Sequence, residues 1–258
     1  MRSLFIRAIS GLIVVILTFF VLITGGRNLS FFTFLLSVIG LNEFYNAISN
    51  KGIKPIKIVG FISCIGFLLN SLGVEWATLL LIFIFGIIGL LLSWILIKET
   101  HLIDIIVTFF SIFYIPFLIQ HIIYLDDTIF IWLIFIFAWG TDTFAYLSGS
   151  LFGKHKLCPK LSPKKTIEGS IGGILGAGII TFLYARYFNL SPVVTFILIS
   201  VFGSIISQIG DLVASKIKRI TGIKDFGFIM PGHGGILDRF DSILFTAPYV
   251  YYVVKYLL

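Results

Sequence analysis

The sequence has little charge and almost no cysteine, and both shortages limit what the protein can be. Only 12% of its 258 residues are charged and 58% are hydrophobic, whereas about a quarter of the residues in a soluble domain are charged. Two cysteines, Cys64 and Cys158, are too few for a disulfide framework or a cysteine metal site. The P-loop pattern Gly-x4-Gly-Lys-Ser/Thr is missing, and no internal repeat of the kind found in inverted-repeat transporters is visible.

Long apolar runs fill most of the chain, and the mean hydropathy is +1.08. The runs are continuous and do not alternate, which favours helices over a barrel, since only these two structures satisfy the backbone in lipid. The sequence therefore predicts an all-α, polytopic integral membrane protein with about nine transmembrane helices. The expected spans are residues 8–24, 29–48, 56–72, 76–97, 103–124, 129–148, 170–188, 192–210 and 237–257. We expect the first to be a span and not a cleavable signal peptide, because no small-residue cleavage site follows it.

The distribution of basic residues predicts how the chain is oriented. With a cytoplasmic N-terminus, 16 of the 19 Lys and Arg residues fall on the cytoplasmic side, as the positive-inside rule requires. The net charge of +7 is explained by this bias, and no nucleic-acid partner is expected. We predict a multi-pass protein of the cell membrane whose polar loops, 149–169 and 211–241, face the cytoplasm. Residues 1–258 would form one membrane domain, with N-terminal helices in 1–125 and a catalytic half in 126–258.

Residues 207–242 hold the densest cluster of charge and glycine. Four of the 12 acidic residues lie here, Asp211, Asp225, Asp238 and Asp241. Charged groups beside a bilayer core cost free energy unless they are paired, bind a metal or contact a ligand. On helices, Asp211 would share a face with Ser215 and Lys218, and Asp238 would project to the same side as Asp241. The segment is therefore the first place to look for chemistry.

Glycines flank the histidine of this segment. Gly234 and Gly235 would allow a tight turn that brings backbone N–H groups close to a ligand. His233 lies between two glycines and beside aspartates, which favours a functional role, although a lone histidine is more often structural. Several carboxylates with few thiols or histidines suit a hard divalent cation such as Mg²⁺. Carboxylates for Mg²⁺ beside Lys and Arg for phosphate oxygens are typical of phosphoryl or nucleotidyl transfer.

Two further elements precede this segment. Asp142 is expected about two turns before the cytoplasmic end of its span, with Tyr146 one turn further along the same face. The Asp142 carboxylate could have a functional role, or it could cap a kink near Gly140. The second element has Ser, Thr and two lysines just before a predicted helix, which would make an anion cradle from free N–H groups and the helix dipole, or only contact anionic headgroups. Its candidate residues are Ser162, Lys164, Lys165, Thr166 and Glu168.

Small residues follow the second element at helical spacing. Gly169, Gly173 and Ala177 are four residues apart, with Gly172 and Gly176 on the adjacent face. Small residues at this spacing let helices approach closely, so packing is the preferred interpretation. The same faces are compatible with a homodimer.

The last block resembles the signature of phosphatidate cytidylyltransferases, also called CDP-diacylglycerol synthases. That signature runs Ser-x-apolar-Lys-Arg, four residues, Lys-Asp, then Pro-x-His-Gly-Gly-apolar-x-Asp-Arg-apolar-Asp. It is met by Ser215, Lys218, Arg219, Lys224, Asp225, Pro231, His233, Gly234, Gly235, Asp238, Arg239 and Asp241. Met230 is a small departure, since the family more often has Leu, Ile or Phe there. The elements around Asp142 and Lys164 also look like the family's, and Glu43-Phe44-Tyr45 is a weaker likeness.

The resemblance implies that CTP and phosphatidic acid react to give CDP-diacylglycerol and pyrophosphate, with Mg²⁺ required and a second, monovalent cation able to accompany it. The phosphatidate oxygen would attack the α-phosphorus of CTP in line. The candidate metal ligands would be Asp211, Asp225, Asp238 and Asp241, with Asp211 and Asp238 preferred. Lys164, Lys165, Lys224 and Arg239 would hold phosphates, and His233 would position a phosphate or relay a proton. The substrate pocket would be lined or supported by Asp142, Ser162, Thr166, Glu168, Ser215, Lys218 and Arg219.

Two alternatives remain open at this point. One is a CTP-dependent enzyme acting on another lipid, such as a polyprenol kinase or an archaeal-type lipid cytidylyltransferase. The other is a transporter or channel, which the sequence disfavours because the charges cluster on one side and in loops instead of at mid-depth.

Overall fold

The computed structural model describes residues 2–230 and 234–258, and side chains from residue 11 onward within those ranges. His233 and Pro231 of the signature lie outside the described residues. Helices dominate, in the order α1 (Arg2–Thr24), α2 (Gly26–Ser49), α3 (Lys57–Ser71), α4 (Leu79–Leu96), α5 (Leu102–Ile112), α6 (Leu118–Gln120), α7 (Ile131–Phe135), α8 (Thr141–Phe152), α9 (Ile167–Tyr187), α10 (Val193–Thr221) and α11 (Leu237–Leu257). Two short strands, β1 (Lys156–Cys158) and β2 (Ser162–Thr166), pair antiparallel between α8 and α9.

Several of these helices continue into one another. A π-helix (Phe113–Phe117) joins α5 to α6, and a 3₁₀ turn (Ile123–Leu125) follows. Pro116 lies inside that π-helix, where its missing N–H removes a normal helical hydrogen bond. A second π-helix (Ile136–Gly140) joins α7 to α8, directly before Asp142.

Six helical stretches of the described chain are long and apolar enough to cross a membrane, namely Gly26–Ser49, Leu79–Leu96, Leu102–Leu125, Ile131–Phe152, Ile167–Tyr187 and Val193–Thr221. The protein is therefore all-α and polytopic, as predicted. Helices also occupy the other three expected positions, in α1, α3 and α11. At 15 residues, α3 is about 22 Å long, which is less than the roughly 30 Å of a hydrocarbon core.

Two predicted boundaries are wrong. The span expected to end at residue 210 continues to Thr221 as α10, so the second polar loop is shorter than expected. Asp211, Ser215 and Lys218 lie on this helix, as their spacing predicted. Nothing in residues 211–221 breaks a helix, and the helix stops just before Gly222, whose φ of +75° is the left-handed conformation typical of a residue that ends a helix. The span expected to end at residue 148 continues to Phe152, so the first polar loop is shorter and holds the β1–β2 hairpin.

The chain divides into two compact units. The N-terminal unit consists of Met1–Asp127 and Ile220–Phe240, and the C-terminal unit of Thr128–Arg219 and Asp241–Leu258. In the N-terminal unit, a buried cluster of Phe67, Ile82 and Ile112 is surrounded by partly buried apolar side chains. The roles predicted for the two halves of the chain stay predictions.

Close packing of α8 on α9 organises the C-terminal unit. A Cβ added at Gly169 would lie 2.8 Å from the Ala145 carbonyl oxygen, and one at Gly173 would lie 2.8 Å from that of Thr141. At Gly176 the added atom would overlap the Phe144 ring. Only glycine permits this approach of the two backbones, so the packing interpretation of the small residues is confirmed.

We predict that Gly173→Ala destabilises the protein whereas Gly178→Ala on the same helix does not. An added methyl group at Gly178 would lie 3.6 Å from Ser200 Oγ, an ordinary contact, and alanine has the higher helix propensity. Forcing a methyl against the Thr141 carbonyl should cost about 1–3 kcal/mol. Thermal unfolding in detergent micelles should show a lower melting temperature for Gly173→Ala alone; equal melting temperatures would contradict this packing.

Candidate functional site

A cavity of about 280 Å³ with several charged and polar side chains in its lining lies in the C-terminal unit. It is formed by α8, the hairpin, the start of α9 and the middle of α10. Its lining is Asp142, Ala145, Tyr146, Gly149, Ser150, Leu157, Lys164, Lys165, Thr166, Gly169, Ser170 and Gln208. The structure therefore brings together Asp142, Lys164, Lys165 and Thr166, four of the residues that the sequence singled out.

The β1–β2 hairpin places the paired lysines. Thr166 ends β2, and its hydroxyl accepts a hydrogen bond from Gly169 N at 3.1 Å, which caps the start of α9. Ile167 N donates to the carbonyl oxygen of His155 at 2.9 Å. The prediction of free backbone N–H groups is therefore wrong at Ile167 and Gly169. The N–H of Ile167 is bound by the hairpin and that of Gly169 by the Thr166 hydroxyl. The side chains of Lys164 and Lys165, which line the cavity, stay candidates for contact with an anion.

Glu168 stabilises the turn before the hairpin. Its carboxylate is 2.6 Å from His155 Nδ1 and accepts a hydrogen bond from Lys154 N at 3.1 Å. At the other end of the hairpin, Arg219 Nε donates to the carbonyl oxygen of Leu161 at 3.2 Å. Glu168 and Arg219, both predicted to support substrate binding, therefore stabilise the hairpin that carries Lys164 and Lys165.

An ion pair joins β2 to α10. Lys165 Nζ pairs with the Asp211 carboxylate, and both side chains are only partly exposed, at 28% and 23%. Burial lowers the pKa of Lys165, while the negative charges of Asp142 and Asp241 act in the opposite direction. One ammonium group therefore lies in the field of three aspartates that are far apart in the sequence.

Close approach of α10 and α11 sets the position of Asp241. A Cβ added at Gly210 would lie 2.8 Å from the Asp241 carbonyl oxygen, so the residue before Asp211 touches the backbone of α11. The Asp241 carboxylate is buried, at 5% exposure, and accepts a hydrogen bond from Ser242 N at 2.7 Å. Gly210 thus allows the two helices that carry Asp211 and Asp241 to meet.

Ser170 and Gln208 line the cavity but were missed from the sequence. Ser170 Oγ lies 2.5 Å from Gln208 Oε1, and Gln208 Nε2 donates to the Ser170 carbonyl oxygen at 3.4 Å. One signal was available for Gln208, because an amide side chain in an otherwise apolar span, one turn before Asp211, needs a polar partner. The partner on α9 could not be read from spacing.

In the N-terminal unit, Asp238 lies at the start of α11 and is 8% exposed. Its Oδ2 atom accepts hydrogen bonds from Phe226 N at 2.8 Å and Gly235 N at 2.9 Å. Gly234 has a φ of +86°, and a Cβ there would lie 2.8 Å from Asp238 Oδ2 and 3.2 Å from Asp225 Cβ. Gly234 therefore has the left-handed conformation expected of a tight turn, but the N–H of Gly235 binds Asp238 instead of an external ligand.

Glu43 of α2 is a second buried carboxylate of the N-terminal unit, and it was not among the predicted site residues. It is 3% exposed and accepts hydrogen bonds from Ile236 N at 3.0 Å and Leu237 N at 2.8 Å. No periodic pattern links residue 43 to residue 237, so only the tertiary structure shows this contact.

The remaining predicted residues lie on partly or fully exposed surfaces. Lys224 and Arg239 are exposed in the N-terminal unit, and Ser215 and Lys218 are half-buried on α10 in the C-terminal unit. Ser162, at the start of β2, is also half-buried.

The four aspartates predicted to bind a metal are divided between the units, Asp211 and Asp241 in one and Asp225 and Asp238 in the other. Within the described ranges, no three His, Cys, Asp or Glu side chains cluster in a way that could hold a metal ion. Mg²⁺ is usually bound through one or two carboxylates together with substrate phosphates. Asp211 follows Gly210, which lies close to the Asp241 backbone, and Asp225 and Asp238 both lie beside Gly234. Carboxylates suit a hard cation, so both pairs stay candidate ligands.

Comparison with known proteins gives matches along nearly the whole chain. Residues 5–257 match the cytidylyltransferase family. The phosphatidate cytidylyltransferase of Staphylococcus haemolyticus (strain JCSC1435) is 36% identical over 253 residues, which cover 94% of this chain and 96% of that protein. The phosphatidate cytidylyltransferase of Staphylococcus aureus (strain COL) is 35% identical over 256 residues, with the same coverage of both chains.

Proposed function

The chain belongs to the cytidylyltransferase family, and from that membership we propose that it transfers the cytidylyl group of CTP to phosphatidic acid, giving CDP-diacylglycerol and pyrophosphate. One observation of the structure carries the proposal. The cavity of the C-terminal unit is lined by Lys164 and Lys165 for phosphate oxygens and by the carboxylate of Asp142, and Lys165 is paired with Asp211. Positive groups for phosphates beside carboxylates for a divalent cation are what nucleotidyl transfer needs.

The lysines of β2 are proposed to bind the substrate phosphates. In the reaction, a phosphatidate oxygen bonds to the α-phosphorus of CTP while the bond from that phosphorus to the pyrophosphate oxygen breaks. Lys164 is exposed and Lys165 is held by Asp211, so an incoming phosphate would compete with this carboxylate for the ammonium group. Ammonium groups held beside the leaving pyrophosphate would stabilise the charge that develops there.

The residues proposed to hold Mg²⁺ are Asp211, Asp241, Asp225 and Asp238. When bound, the ion would neutralise phosphate charge and polarise the phosphoryl oxygens. A second, monovalent cation remains part of the proposal.

Phosphatidate is already ionised at neutral pH, so the attacking oxygen needs no strong base. His233, outside the described residues, is proposed to position a phosphate or relay a proton, and Lys224 and Arg239 to hold phosphates. Ser162, Ser215 and Lys218 are proposed to support substrate binding.

The site is proposed to face the cytoplasm in a chain of nine spans. The 16 basic residues on one side and three on the other support a cytoplasmic N-terminus. This orientation would place the hairpin lysines on the side where CTP is available, while the acyl tails of the lipid stay in the bilayer. A homodimer stays part of the proposal, but the small-residue face of α9 that suggested it packs on α8 of the same chain.

The activity can be tested directly with radiolabelled CTP. Purified protein supplied with phosphatidate in detergent micelles should transfer label to the lipid and release pyrophosphate, and chelation of Mg²⁺ should stop both. Asp211→Asn or Asp238→Asn should abolish turnover while the protein still inserts and purifies, because losing a ligand of a metal that bridges phosphates weakens transition-state stabilisation.

The same assay separates the alternatives. Label transferred to a polyprenol or another lipid, and not to phosphatidate, would indicate the other class of CTP-dependent enzyme. Absence of any transfer, with the Staphylococcus aureus relative active in parallel, would contradict the proposed function. Near-normal activity in either aspartate variant would remove that residue from the proposed ligands.

Lys165→Ala, and to a similar degree Lys164→Ala, should lose at least tenfold in kcat/KM with unchanged membrane insertion. A charge-assisted hydrogen bond to a desolvated phosphate is worth about 2 kcal/mol, whereas a lysine that only touches headgroups contributes about 1 kcal/mol of membrane affinity. Lys154→Ala is the matched control, since that exposed lysine precedes the hairpin and does not line the cavity. Losses below threefold in both variants would indicate that Lys164 and Lys165 only contact lipid headgroups.

Orientation can be tested by cysteine labelling in intact cells, in a background with Cys64 and Cys158 replaced by serine. Lys160→Cys, at the exposed tip of the hairpin, should react only with membrane-permeant maleimides. Thr128→Cys, next to Asp127, should react with impermeant reagents as well. The reverse pattern would contradict both the orientation and the cytoplasmic site.

A further inference from the structure

Glu43 closes the start of α11 from a helix almost two hundred residues earlier in the chain. The first N–H groups of any helix lack partners within the helix, and here Leu237 N and the preceding Ile236 N both donate to the Glu43 carboxylate, at 2.8 and 3.0 Å. One hydrogen bond goes to each carboxylate oxygen. A negative group at this position also interacts favourably with the helix dipole.

Two glycines make room for this carboxylate. A Cβ added at Gly227 would lie 2.8 Å from Glu43 Cδ, and one at Gly235 would lie 2.5 Å from the same atom. Neither glycine has φ in the left-handed region, in contrast to Gly234 at +86°. Backbone conformation therefore does not require glycine at residues 227 and 235, whereas the volume occupied by Glu43 does.

Asp238 is held by the same piece of chain. Its Oδ2 atom accepts from Phe226 N, which precedes Gly227, and from Gly235 N, which precedes the two N–H groups bound to Glu43. Asp238 thus binds the N–H groups of Phe226 and Gly235, and Glu43 binds those of the next two residues, Ile236 and Leu237. Any shift of the chain at Gly235 or Leu237 would move Asp238 with it.

We propose that Glu43 is a positioning residue, whose carboxylate fixes the start of α11 and thereby the place of the Asp238 carboxylate. The proposal rests on the proposed function, in which Asp238 is a ligand of Mg²⁺. Within the N-terminal unit it assigns α2 a part in placing Asp238, and it explains Gly227 and Gly235 by the group that they accommodate.

The contact itself can be tested without any activity. Gly227→Ala should lower the melting temperature in detergent, because the methyl group meets the Glu43 carboxylate. In a Glu43→Ala background, the same Gly227→Ala change should cause less than half of that shift, since coupled residues show non-additive effects. An equal shift in both backgrounds would overturn the assignment of Gly227. If Glu43→Ala does not purify, Glu43→Gln serves as the background, because an amide offers only one acceptor oxygen to the two N–H groups.

The effect on the metal ligand is tested with Mn²⁺ as the probe, by measuring free Mn²⁺ with electron paramagnetic resonance in the presence of CTP. Glu43→Gln should weaken Mn²⁺ binding at least fivefold. Tyr45→Phe is the matched control, because Tyr45 is fully buried on the same helix and its hydroxyl accepts from Ser111 Oγ of α5 at 3.0 Å. Its Mn²⁺ affinity should equal that of the parent protein.

The outcomes distinguish this inference from the proposed function. Equal Mn²⁺ affinities in Glu43→Gln and the parent, or equal weakening in Glu43→Gln and Tyr45→Phe, would overturn the positioning role even if the parent protein makes CDP-diacylglycerol. Failure of the parent to use CTP and phosphatidate would contradict the proposed function, while the Gly227 coupling could still be observed.

Discussion

A carboxylate buried in an apolar chain has to be compensated by hydrogen bonds or by an opposite charge, and this requirement shapes both units. Glu43 and Asp238 are compensated by backbone N–H groups, and Asp211 by the ammonium group of Lys165. The contacts of Glu43 and Asp211 join segments that are remote in the sequence. The charged residues of this chain therefore act as structural connections as well as candidates for chemistry.

The two forms of compensation have different chemical consequences. The backbone N–H groups of Phe226 and Gly235 cannot leave the Asp238 carboxylate unless the chain at these residues rearranges, so they hold Asp238 in one place. The Lys165 side chain has a flexible stem, and in the proposed reaction it would exchange Asp211 for a phosphate oxygen. A rigid carboxylate suits a metal ligand and an exchangeable ammonium suits a substrate contact, which agrees with the roles proposed for these two residues.

Glycine has three separate uses in this protein. Gly169 and Gly173 let α9 approach the backbone of α8, Gly234 adopts a left-handed turn, and Gly235 leaves space for the Glu43 carboxylate. The sequence pattern distinguished the first use because small residues recur at helical spacing. It could not separate the other two, since adjacent glycines in a loop look alike until the neighbouring side chain is known.

The sequence by itself determined the membrane class, the helical positions and the family, because hydropathy and local motifs are properties of neighbouring residues. It also identified Asp142, Lys164, Lys165 and Asp238 as candidates, since a charge in an apolar chain is conspicuous without a structure. Only the tertiary structure decided that the lysines lie on a strand, that Lys165 pairs with Asp211, and that Glu43 holds the start of α11. These contacts join residues 46 and 194 positions apart, and no local pattern specifies which distant group will compensate a buried charge.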